Sequence, residues 1–169
     1  MTDSTKNQLI ANVARELVAQ TAPQELPLFR ATSEVYFKDP EKALKGGAGK
    51  DDMLGFGLAA AATFLTPVAL AVASEVVEFV AEEVKESVEE ESEELIDDAV
   101  KKVFKKFRRE EEKKDKEKEE PPSPPPLTPE QLEEVRELAL EKARQLNLSE
   151  SQAELLADSL VGDLILPDN

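Results

Sequence analysis

The chain contains neither cysteine nor histidine. Without cysteine it can form no disulfide bond or thiolate nucleophile, and without histidine it lacks the usual general base and the commonest metal ligand. Zinc sites and the common catalytic triads are therefore excluded. A carboxylate site for calcium or magnesium stays open in principle, but the acidic stretch 75–98 lacks the glycine turn of an EF-hand loop. We predict a protein that is not an enzyme and has no catalytic residue, cofactor or metal site.

Aromatic residues are also scarce, at 5% of the chain, and tryptophan is absent. This composition argues against one large compact core. The formal net charge is −16 at pH 7. Because a chain of this charge repels phosphate groups, we predict that nucleic acid is not a partner.

Within this charged chain, residues 53–73 (MLGFGLAAAATFLTPVALAVA) form an uncharged and mostly apolar run. A helix of this length covers about 30 Å, the thickness of the hydrocarbon core of a bilayer. We therefore predict one membrane-spanning helix over 53–73, with the lipid bilayer around its side chains and a kink at Pro67. Glycine, threonine and proline residues make insertion marginal, so the alternative is a central buried helix of a bundle, wrapped by the N-terminal helices.

Small residues recur at four-residue spacing in this run, as at Gly57 and Ala61. Such faces let helices pack closely in lipid, so the spacing predicts a homo-oligomer or pairing with another membrane helix. Chance recurrence in an alanine-rich stretch is the alternative. The residues predicted to span the membrane and to pack against another helix are Gly55, Gly57, Ala61, Phe64, Leu65 and Leu70.

The sequence before residue 127 is predicted to divide into three parts. Residues 1–49 carry apolar side chains at helical spacing and are predicted to form a small N-terminal helical unit. Residues 50–109 are predicted to form one long helix, in which the membrane segment continues as a charged amphipathic stalk; Pro67 and the glutamates at 89–91 are the points where it could break. Residues 110–126 are predicted to be a charged, proline-rich linker, stiffened by PPSPPP.

Residues 127–169 carry the clearest local signals and are predicted to form a helical hairpin. Thr128, Pro129 and Gln131 match a capping box with proline at the first helical position, and 149–152 match a second capping box. Because two helices bury little surface, we expect the apolar face of the hairpin to bind a protein partner. The predicted docking residues are Leu132, Val135, Leu138, Leu156, Leu160 and Leu164.

The sequence thus predicts an all-α, membrane-anchored adaptor or tether, whose linker holds the docking hairpin away from a single-pass membrane helix. Lys38, Lys42, Lys45 and Lys50 precede the apolar run, whereas only Lys85 follows it closely, so the N-terminus is predicted to lie inside. Two alternatives stay open. One is a self-associating, membrane-perturbing effector that forms pores, and the other is a soluble helical interaction protein.

Overall fold

The computed structural model of the chain describes residues 2–45, 64–87, 93–107 and 127–165. Helices account for 91% of these residues and none of them lies in a β-strand, which confirms the all-α prediction. The α-helices are α1 Asp3–Thr21, α2 Leu26–Lys38, α3 Pro40–Lys45, α4 Leu65–Ser87, α5 Glu93–Val103, α6 Pro129–Gln145 and α7 Glu150–Ile165. Two short 3-10 turns, Pro23–Glu25 and Lys105–Phe107, lie after α1 and α5.

Helix α1 follows directly from its local sequence. The Thr2 hydroxyl oxygen accepts a hydrogen bond from the backbone N–H of Thr5 (3.4 Å), which caps the first turn. Pro23 follows the last turn and cannot continue the helix. One face of the helix is apolar and buried in the core, and its residues are Leu9, Ile10, Val13, Ala14, Leu17 and Val18.

The start of helix α4 is capped by a carboxylate from another part of the chain. Glu25 accepts hydrogen bonds from the backbone N–H of Leu65 (2.9 Å), the backbone N–H of Thr66 (2.7 Å) and the Thr66 hydroxyl (2.6 Å). The first N–H groups of a helix have no partner within it, and a negative charge there also complements the helix dipole. Pro67 therefore lies in the first turn of α4, where proline is tolerated, and the predicted mid-helix kink is wrong.

Four helices form the core by contacting one another in a closed ring. Helix α1 packs on α4, α4 on α6, α6 on α7, and α7 on α1. Polar pairs fix their directions: Lys6 bonds to Glu78 (2.5 Å) near one end of α1, whereas Glu25 meets α4 near the other end, so α1 and α4 are antiparallel. Helices α2, α3 and α5 also contact α4, which makes α4 the central element of the fold.

This position of α4 corrects the membrane prediction. The nine residues from Leu65 to Ala73 are all buried, and the side chains around them belong to the chain's own core. The second half of the predicted membrane segment is therefore surrounded by protein and not by lipid. Within the described ranges, no helix combines the length and the apolar character needed to cross a bilayer. The first half of the segment, 53–63, lies outside those ranges.

The prediction that the membrane helix continues as a charged stalk is also wrong. Helix α4 ends at Ser87, and α5 packs back against it instead of extending its axis. The 3-10 turn after α5 contacts α1 and α7, and Phe104 and Phe107 are buried there. Most apolar side chains of α5 and of this turn therefore enter the common core. The predicted linker 110–126 lies outside the described residues.

Candidate docking surface

The residues predicted to face lipid divide between the core and the part of the chain outside the described ranges. Leu65 and Leu70 are buried in the core, and Phe64 is half-buried immediately before α4. Gly55, Gly57 and Ala61 lie outside the described residues. The small residues Ala69 and Ala73 do permit close packing of α4, but against helices of the same chain.

The C-terminal helices form the predicted hairpin, and their ends follow the predicted capping signals. The backbone N–H of Gln131 donates to the Thr128 hydroxyl (3.2 Å), while the Gln131 side chain accepts from the Thr128 backbone N–H (2.9 Å). The backbone N–H of Gln152 likewise donates to the hydroxyl of Ser149 (3.4 Å). Between the helices, Asn147 has a left-handed backbone (φ 65°), a conformation that asparagine tolerates better than most residues.

The hairpin packs on the rest of the bundle instead of standing apart from it. Glu83 of α4 accepts from the Gln131 side chain (2.6 Å), and Lys142 pairs with Glu75 (2.8 Å). On the other side, the Gln20 amide of α1 donates to Asp163 of α7 (2.6 Å). The expectation that the linker holds the hairpin away is therefore wrong.

The predicted docking residues face the chain's own core to different degrees. Val135, Leu156 and Leu160 are fully buried, and Leu164 is half-buried against the core. Leu132 and Leu138 are half-buried. The helical period identified the apolar face of the hairpin, but periodicity does not distinguish a face that packs within the chain from one that binds a partner.

A different face of α7 points outward. Its residues Ser151, Leu155, Asp158, Gly162 and Ile165 recur at steps of three and four, which places them on one side of the helix. Two of them are apolar and exposed, Leu155 by 52% and Ile165 by 56%. We call these five residues the α7 outer surface. Sequence reasoning missed it, although both apolar residues fall outside the buried period of α7 and could have been recognised by that signal.

Gly162 is the half-buried member of this surface, between Leu155 and Ile165 along the helix, and no neighbour within the fold requires glycine there. A Cβ atom added there would meet nothing within 4 Å, and the residue lies within helix α7. Glycine inside a helix is unfavourable because it loses more conformational freedom on folding than other residues. The absence of a side chain therefore leaves the backbone of α7 open to close approach from outside.

This reasoning predicts that Gly162→Ala stabilises the fold. We expect the free energy of unfolding to rise by about 0.5–1 kcal/mol, since alanine restricts the unfolded chain and no neighbour must move. Urea denaturation followed by circular dichroism measures the change. Ser159→Ala in the same helix is the matched control, since it changes helix propensity without removing a glycine. A destabilised Gly162→Ala variant would show that the backbone or its surroundings require glycine after all.

The charged side chains of α7 itself are all acidic. No lysine or arginine occurs between Glu150 and Ile165, whereas Glu150, Glu154, Asp158 and Asp163 carry carboxylates. Arg136 of α6 donates to Asp158 (2.7 Å). Arg144 donates to Glu150, which lowers the pKa of that carboxyl and raises the pKa of the guanidinium. Two of these four carboxylates thus pair with arginines of α6, and Asp163 bonds to Gln20 on the side of α7 that faces α1.

Comparison with protein-family models, with curated proteins and with solved structures finds no match for this chain. Among the described residues, no group of three or more acidic side chains is arranged to hold a metal ion. The feature that remains for a functional argument is the α7 outer surface.

Proposed function

We propose that the chain is a helical interaction protein that binds a protein partner through the α7 outer surface. The observation that carries this proposal is the exposure of Leu155 and Ile165 on one side of a helix whose other side completes the core. Large apolar side chains at a binding surface contribute most of their energy when a partner removes them from water.

The organisation of the bundle supports this choice of surface. The inner face of the hairpin already packs on α1 and α4, so Leu156 and Leu160 have no apolar surface left to offer. Helix α7 is the member of the ring that lies across from α4, and it takes its contacts from α1, α6 and the 3-10 turn after α5. Its opposite side carries Leu155 and Ile165, which the described part of the chain leaves exposed.

The proposal retains the predicted protein partner and changes the residues that bind it. A lipid bilayer is no part of it, because Leu65 and Leu70, the residues predicted to contact lipid, lie in the core. Association of identical chains through α7 is disfavoured by the net charge of −16 on each copy.

Photocrosslinking tests the proposed surface. We expect a photoreactive amino acid in place of Leu155, and separately in place of Ile165, to form an adduct with the same protein in a lysate of the source cells. The matched control carries the photoreactive group in place of Leu95, an exposed leucine on α5 (43%). It should not form that adduct.

The captured protein is then purified and its affinity measured by calorimetry. Leu155→Ser should weaken binding by about tenfold, the loss of a moderate interface residue, whereas Leu95→Ser should leave the affinity unchanged. Equal affinities for both variants, or adducts at position 95 alone, would place the interface elsewhere and overturn the proposal.

A further inference from the structure

We draw no further inference here: the strongest candidate, the pair of exposed apolar residues Leu155 and Ile165 on α7, belongs to the docking surface already described, and nothing in the structure shows the chemistry of the partner that covers it.

Discussion

Replacing Leu70 with alanine will lower the free energy of unfolding by about 3 kcal/mol. Leu70 is fully buried in α4, the helix that contacts most of the other elements. Truncation removes apolar contacts and leaves a cavity that the surrounding helices fill only in part, which typically accounts for 2–5 kcal/mol. The measurement is urea denaturation of the purified chain in buffer without detergent, followed by circular dichroism at 222 nm, the usual helix band.

Leu95→Ala is the matched control, because it removes the same atoms from an exposed position on α5. We expect it to change the free energy of unfolding by about 0.5 kcal/mol or less. Comparing Leu70→Ala with Leu95→Ala also tests whether Leu70 is surrounded by protein or by lipid. If the wild-type chain unfolded cooperatively only in detergent, and Leu70→Ala had no larger effect than the control, lipid would be the natural surrounding of α4 and the described core would be wrong.

Glu25→Ala will lower the free energy of unfolding by about 2 kcal/mol. The substitution removes the acceptor of two backbone N–H groups at the start of α4 and of the buried Thr66 hydroxyl. Hydrogen bonds to a charged group and helix caps each contribute about 1–2 kcal/mol, and donors left without a partner in a partly buried site are unfavourable. The same denaturation experiment measures the loss.

Two further variants distinguish the loss of the α4 cap from a general disturbance of the 3-10 turn Pro23–Glu25. Glu25→Gln keeps one acceptor oxygen but loses the charge, so we expect a loss of about half that of Glu25→Ala. Gln24→Ala changes the exposed neighbouring residue in the same turn and should have little effect. Comparable losses for Gln24→Ala and Glu25→Ala would assign the effect to the turn itself, not to the capping of α4.

Local signals predicted most of the helices. The threonine and proline at 128–129 start α6, and apolar spacing in α1 identifies the face that the bundle buries. These signals act between neighbouring residues, so the sequence displays them directly. They also predicted the hairpin, because its two helices and the turn at Asn147 are formed by residues close together in the chain.

The partners of those apolar faces were not predictable in the same way. A run that is apolar on every side of a helix is equally suited to lipid and to the centre of a bundle, and the hydropathy of residues 53–73 does not choose between them. The choice is made by contacts such as Glu25 with Thr66, which join residues distant in the sequence. The α7 outer surface escaped prediction for a related reason, since only the assembled bundle defines which side of α7 remains outside.

The ring of helices joins early and late parts of the chain, because α1 packs on α7 and the Gln20 side chain bonds to Asp163. During synthesis, α1 and α4 leave the ribosome well before α6 and α7, which supply much of the core around them. The nascent protein therefore exposes the apolar first part of α4, from Leu65 to Ala73, while translation continues. Incomplete chains with such exposed apolar surface are prone to aggregation and are typical clients of ribosome-associated chaperones.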